Sequence, residues 1–233
     1  MTVKIIKGNI FTSECQTIVN TVNCVGVMGA GIALEYRLRY PEMYLRYVQL
    51  CKEDKINIGL LWLHKAPDRW VLNFPTKRDW KNPSKIEYLQ EGLNKFVATY
   101  KDKGIESIAF PLLGADKGGI PEDQSLNILK SSLENIDVEV EIYLRDATAK
   151  DDLLDKIKNW LSNQSESEVP QVAGLKRNQI VKINEALASP DIVQLNQLAA
   201  VREIGIETLE RIFALAIVGD SEQKKSTTQK TLF

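Results

Sequence analysis

Histidine is almost missing from this chain of 233 residues; His64 is the only one. A two-histidine metal site therefore cannot be built within one copy, and any Ser-His or Cys-His nucleophile would depend on His64. That residue ends the apolar run Leu60-Leu-Trp-Leu-His64 and reads as structural. Cysteine is scarce as well. Cys15, Cys24 and Cys51 are odd in number and contain no Cys-x-x-Cys pair, which fits a reducing cytoplasm and argues against a disulfide framework or a zinc site. Charge of one sign is not in excess either. Lys and Arg total 30 against 31 Asp and Glu, a net charge of −1, so no global basic field draws the chain onto nucleic acid and any such contact must be a local patch. No apolar run approaches the roughly 20 residues of a membrane span. The opening Met1-Thr-Val-Lys-Ile-Ile-Lys7 enters strand-like alternation directly, without a signal-peptide pattern. A globular cytoplasmic protein with no metal and no cofactor is expected from a composition of 44% apolar and 26% charged residues.

What is present is an alternation of short strands and helices over residues 1–147. Strands are expected at 3–6, 17–20, 60–63, 70–74, 107–110 and 138–144, and helices at 31–39, 42–52, 85–103 and 122–134. Ser84 followed by Glu87 reads as a capping box for the third helix, whose apolar stripe is Ile86, Leu89, Leu93, Phe96, Val97 and Tyr100. This order implies an α/β fold, a three-layer α/β/α sandwich on a mixed, mostly parallel sheet. A helix at 150–161 is expected to close a first domain of residues 1–161. Residues 162–173 are polar and aperiodic, a linker. A small all-α segment follows at 174–219, then a mobile tail at 220–233. The small segment is marginal for an independent fold and needs a surface to pack on.

Three stretches carry chemistry. In Asn20-Thr-Val-Asn-Cys-Val-Gly-Val-Met-Gly-Ala-Gly-Ile32, the glycines Gly26, Gly29 and Gly31 lie between a strand and a helix start. Backbone N–H groups there can converge on an anion or a diphosphate, although a plain βα turn would look similar. Asn20 and Asn23 add amides able to read hydroxyls or to cap turns. In Pro111-Leu-Leu-Gly-Ala-Asp-Lys-Gly-Gly-Ile-Pro121 a second strand opens into a second glycine loop. Two loops on one sheet edge favour a nucleotide-like ligand. Between them in sequence stands Asn73-Phe-Pro-Thr-Lys-Arg-Asp-Trp80. A strand entering Pro75 is expected to stop or kink, which presents Lys77 and Arg78 at a strand end, where open α/β sheets bind ligands.

Together, Asn-x-x-Asn-x-x-Gly-x-Met-Gly-x-Gly-Ile-Ala, Pro-Thr-Lys-Arg-x-Trp and Pro-Leu-Leu-Gly-x-x-x-Gly-Gly resemble a macrodomain, and within that family the subgroup containing the antitoxin DarG. The resemblance covers residues 1–147, and the lysine block is its specific part. It implies ADP-ribose binding, with Asn9 and Ile10 at the adenine and Asn20 and Asn23 near the distal ribose. Gly26, Val27, Met28, Gly29, Ala30, Gly31 and Ile32, with Leu113, Gly114, Ala115, Asp116, Lys117, Gly118 and Gly119, would lie around the diphosphate. Asn9 departs from the aspartate that many members place against the adenine amino group, and no acid stands at Gly118, the nearest being Asp116. The resemblance further implies removal of ADP-ribose from a thymine base of single-stranded DNA, where a partner toxin, a DNA ADP-ribosyltransferase, places it. Lys77 and Asn23 would be the catalytic residues. Lys77 would act at the anomeric carbon, either as an amine of lowered pKa or as an ammonium opposite developing charge. Thr76, Arg78 and Trp80 would line the substrate, although ordinary edge packing accounts for Trp80 equally well. Release of ADP-ribose from Glu or Asp side chains of a protein, and a non-catalytic reader of ADP-ribose that recruits a partner, are the alternatives.

At the C-terminus, Gln229-Lys-Thr-Leu-Phe233 resembles the peptide by which bacterial replication proteins dock on the DNA sliding clamp, with Gln229, Leu232 and Phe233 as anchors. The helical segment shows mixed charge and no basic stripe on its last helix, which favours a partner-binding or dimer role over a helix-turn-helix.

Overall fold

The computed structural model describes residues 3–164 and 174–230, with side chains placed as far as Val218. The chain divides into two compact units, Met1–Asp146 and Ala147–Phe233.

The first unit is built on a six-stranded sheet: β1 (Val3–Gly8), β2 (Thr17–Asn23), β3 (Trp62–Lys65), β4 (Trp70–Lys77), β5 (Ser107–Pro111) and β6 (Glu139–Arg145), in the order β1-β6-β5-β2-β4-β3. All neighbours run parallel except β3, which pairs antiparallel with β4. Side-chain alternation sends Ile18, Val71, Ala109 and Tyr143 to one face. There they meet Tyr36 of α1 (Gly31–Arg39) and Met43 and Tyr47 of α2 (Pro41–Lys52). Val19, Leu72, Phe74, Ile108, Phe110 and Ile142 point to the other face. Leu89, Leu93 and Phe96 of α3 (Ile86–Lys103) and Leu129 and Leu133 of α4 (Glu122–Leu133) cover them. The sheet is thus the middle layer of an α/β/α sandwich. Because both its faces are covered, central strands such as β2 are buried almost throughout, polar Thr17, Asn20 and Asn23 included.

Three local expectations change. β4 does not end at Pro75 but continues to Lys77. It pairs with β3 only as far as Asn73, so Pro75 stands where one side has no ladder to lose, and its pairing with β2 shifts register between Val22 and Asn23. The capping box is not formed. α3 begins one residue after Lys85, with no side-chain cap, and Ser84 packs elsewhere. β3 lies two residues later than expected, with His64 inside it, half-buried and ring to ring with Trp62 at 5.8 Å.

The second unit is helical: α5 (Leu154–Ser162), α6 (Arg177–Ala188), a 3₁₀ turn over Leu195–Ala200, and α7 (Ile206–Lys230). The division falls at Asp146, so α5 groups with this unit rather than with the first, and it packs against α7. Leu154, Ile157 and Trp160 of α5 add to a core of Ile183, Leu195, Leu198, Ile212 and Phe213. Asp151 accepts the N–H groups of Leu153 and Leu195, and Gln179 donates to Thr208 at 2.8 Å. The helix α7 is described through Lys230; the side chain of Gln229, and Leu232 and Phe233 entirely, lie outside the described residues. No described helix is long and apolar enough to cross a membrane, and no described cluster of His, Cys, Asp or Glu could hold a metal.

Candidate functional site

Parallel pairing fixes where the site lies. β1, β6, β5, β2 and β4 share one direction, so the residues following each of them emerge along one edge of the sheet. That edge collects Asn9 after β1, the 24–30 loop after β2, Lys77 at the end of β4, the 112–121 loop after β5, and Arg145 at the end of β6.

Lys77 is half-buried at the last position of β4, directly after Thr76, which is buried. Its ammonium donates to the backbone carbonyl of Lys117 in the second glycine loop. Burial pulls its pKa below the ordinary lysine value, while the carboxylate of Asp116 pulls the other way. The backbone around it is tied to the first loop. The Cys24 N–H donates to the Arg78 carbonyl at 3.1 Å and the Cys24 thiol to the Lys77 carbonyl at 3.3 Å. Lys77 therefore joins both glycine loops.

The loops also meet each other. A methyl group added at Gly31 (φ 59°) would lie 3.7 Å from Lys117 Cγ and 3.8 Å from Asp116 Oδ2. At Gly118 an added methyl would lie 2.6 Å from Ser84 Oγ and 3.9 Å from Lys77 Cε, so only glycine fits between Ser84 and Lys77. Ser84 donates its N–H to the Gly118 carbonyl at 2.9 Å, and its buried hydroxyl has no partner among the described residues. Asp116 itself is in the left-handed region (φ 46°), an uncommon state for a non-glycine residue that marks an over-determined loop. The N–H groups of Gly118, Gly119 and Ile120 bond within the loop, to the carbonyls of Ala115, Asp116 and Gly114. Buried Leu113 anchors it, its carbonyl accepting from Ser125 at 2.8 Å.

Asn23 is engaged in shaping the first loop. Its Oδ1 accepts the N–H groups of Val25 and Val27 at 3.0 and 3.2 Å, and its Nδ2 donates to the Val27 carbonyl at 2.6 Å. The buried hydroxyl of Tyr47 donates to the Asn23 carbonyl at 2.6 Å. With Val25 and Val27 bonded in this way, Gly29, Ala30 and Gly31 stand exposed where the loop enters α1 at Gly31, and Ile32 follows them half-buried. Met28 is buried beneath them. Asn20 is fully buried in mid-strand, its Nδ2 donating to Asn73 Oδ1 at 3.0 Å. Its Oδ1 has no partner among the described residues. Asn9 caps a 3₁₀ turn at Ile10–Thr12 by accepting the Phe11 N–H at 3.1 Å. Arg78 is exposed and donates to Asn57 at 3.2 Å, and Trp80 is 52% exposed.

Sequence reasoning missed Tyr47, Ser84 and Asn73. Tyr47 looks like one more residue of an apolar helix stripe, and Ser84 like a cap. Asn73, an amide inside the apolar run at 70–74 and opposite Asn20, was the one with a readable signal.

A family model described as Macro domain matches residues 19–129. A curated relative from Thermus aquaticus, named DNA ADP-ribosyl glycohydrolase, is 37% identical over 145 residues, which cover 60% of this chain and 40% of that protein. A Thermosipho africanus protein, named a DNA ADP-ribosyl transferase-DNA ADP-ribosyl glycohydrolase fusion protein, is 33% identical over 60% of this chain and 41% of its own length. The chain thus spans well under half of either relative. Among solved structures, the macrodomain of Thermus aquaticus DarG matches with a TM-score of 0.58 and 36% identity, over 61% of this chain and 98% of that one.

Proposed function

We propose that this chain, which belongs to the macrodomain family, hydrolyses the bond between ADP-ribose and a thymidine base of single-stranded DNA in the cytoplasm, and so serves as the antitoxin of a DNA ADP-ribosyltransferase. One arrangement carries the reading: Lys77, its pKa lowered by burial, bridges two glycine loops at the edge of a parallel sheet. In this reading the adenosine lies at the Asn9–Ile10 turn, the diphosphate lies between the loops, and the anomeric carbon of the distal ribose comes to Lys77. Two routes fit the geometry. As an amine, Lys77 attacks C1 while the C1–N bond to thymine breaks and the base leaves with the electron pair, taking a proton from water. The glycosylamine so formed gives up its extra proton and opens at the C1–O4′ bond to an imine, the ring oxygen taking a proton; water then hydrolyses the imine, releasing ADP-ribose and the free amine. As an ammonium, it stabilises the negative charge that builds on the departing base. The names of the relatives support the DNA substrate and, through the fusion protein, a transferase as the opposing partner.

The test is release of ADP-ribose by the full chain from an ADP-ribosylated thymidine oligonucleotide and, in parallel, from a glutamate-ADP-ribosylated protein. Release from DNA alone is expected. Release from protein alone would move the substrate to acidic side chains, and release from neither, with ADP-ribose still bound, would make the chain a reader.

The C-terminal peptide is proposed to dock the chain on the DNA sliding clamp. Deleting residues 229–233 should abolish clamp binding in a pull-down and leave hydrolysis within twofold of the full chain. An intact chain that does not bind the clamp ends that proposal.

A further inference from the structure

We propose that the connection between β4 and α3 is a stacking platform for the nucleotides that flank the modified base of a single-stranded DNA. The proposal rests on the DNA reading above and adds to it the surface that would make a polymer a better substrate than an isolated nucleoside.

Two rings carry cations over them, Trp80 in this connection and Tyr88 in the first turn of α3. Lys81 Nζ lies 5.5 Å from the centre of the Trp80 ring. Arg78 Cζ and Lys85 Nζ each lie 5.7 Å from the centre of the Tyr88 ring. Trp80 is 52% exposed and Tyr88 is half-buried, and Arg78, Lys81 and Lys85 are all exposed. Aromatic rings set together with cations are the combination that single-stranded nucleic acid uses, a base stacking on a ring while its phosphate meets the charge.

The local charge agrees. From Lys77 to Lys85 the chain carries Lys77, Arg78, Lys81 and Lys85 against Asp79 alone, in a protein whose net charge is −1. Asp79 is engaged locally, its Oδ1 accepting the Lys81 N–H at 3.0 Å. Asn57 Oδ1 holds the Arg78 guanidinium at 3.2 Å, and the Arg78 carbonyl is tied to Cys24 of the first glycine loop. The platform therefore starts one residue beyond Lys77 and is anchored to the site. Trp80 is three residues on, at most roughly 10 Å of extended chain, so a neighbouring nucleotide meets it while the modified one is at Lys77. Ring faces engage only bases free of their own stack, which selects single strands over duplex. An acidic peptide would satisfy the cations but leave both rings without a partner.

The experiment compares ADP-ribosyl-thymidine as a mononucleoside with the same unit inside an oligothymidine, for the full chain and for Trp80→Ala, Tyr88→Ala and the double variant. The oligonucleotide-to-mononucleoside ratio of kcat/KM is expected to fall roughly fivefold or more for each ring removed. Lys81→Ala and Lys85→Ala should each lower the salt dependence of the oligonucleotide reaction by a slope of about 0.7. An unchanged ratio in the double variant overturns the platform. Equilibrium binding of unmodified oligothymidine gives a second readout independent of hydrolysis. Weakening in the ring variants supports the platform even where the full chain releases ADP-ribose from nothing, in which case the hydrolase reading falls alone. Binding equal to that of the unaltered chain, or the same residues binding a polyglutamate peptide in preference to oligothymidine, overturns it.

Discussion

Replacing Lys77 by alanine should abolish ADP-ribose release from DNA, lowering kcat by about 10²–10³-fold or more, while ADP-ribose still binds. Binding survives in this expectation because the proposed diphosphate contacts come from the backbone of the 28–32 and 114–117 segments, which the substitution leaves in place. Isothermal titration with ADP-ribose measures that side, and single-turnover release from an ADP-ribosylated oligonucleotide measures the other. Turnover by Lys77→Ala at the rate of the unaltered chain would sink the assignment. Loss of release together with loss of ADP-ribose binding would instead make Lys77 a brace between the loops, through its bond to the Lys117 carbonyl.

Lys77→Arg separates the two routes, since a guanidinium keeps the charge and never offers a neutral amine. Partial activity in the arginine variant supports charge stabilisation; activity as low as that of the alanine variant supports attack by the amine. The pH profile should agree. Burial lowers the Lys77 pKa, so the neutral amine becomes available below the ordinary lysine range. On the amine route kcat/KM rises with pH until that lowered pKa is passed and then levels. On the ammonium route it is flat at low pH and falls as the same pKa is passed. Stability shifts with the amine route's sign. A lysine whose pKa is lower in the folded state holds fewer protons there than when unfolded, so its contribution improves as pH rises through the folded value.

The layers of the first unit were legible because they rest on periodicity. The strand at 17–20 and the helix at 31–39 are set by apolar spacing and glycine punctuation, and they appear at or within a few residues of those positions. The misreadings have a common cause in tertiary contact. Pro75 was expected to stop or kink β4; the strand runs on to Lys77, with its register against β2 shifting just after Pro75. Ser84 was expected to cap α3 from sequence spacing alone, but a glycine from a distant loop, Gly118, takes the space beside it. Asn23 shows the limit at the site. Its type and position are visible in sequence, but not that its amide is bonded to Val25 and Val27 and backed by Tyr47 from another helix. That geometry makes Asn23 a staple of the anion loop, and any contact with the ribose must coexist with those bonds. The helix expected to close the sandwich, α5, lies beyond the division at Asp146, and it packs against α7 with Leu154, Ile157 and Trp160 buried.

The substitution expected to cost most stability is far from any titrating group. Gly92 lies inside α3, where exchange of glycine for alanine ordinarily stabilises a helix by up to about 1 kcal/mol. Here the sign should reverse. A Cβ at Gly92 would stand 2.2 Å from Cζ and 2.5 Å from Cε1 of Phe74, a fully buried ring on β4. The ring cannot withdraw, because Leu89, Leu93, Phe96 and Phe110 pack in the same cluster, and Pro75, Thr76 and Lys77 follow it along the strand. Overpacking of this kind costs about 1–3 kcal/mol and more where nothing yields, so Gly92→Ala should lower the melting temperature of the full chain by roughly 6 °C or more. Because relief would push β4 outward, the strand end that carries Lys77 should move with it, and ADP-ribose release should fall further than ADP-ribose binding. Adding Phe74→Leu makes room at the clash. The double variant should be more stable than the sum of the two single effects allows, a coupling between touching residues. Melting of Gly92→Ala at the temperature of the unaltered chain, or strict additivity with Phe74→Leu, would mean that α3 and β4 can separate freely, and that the position of Lys77 is held by the glycine loops alone.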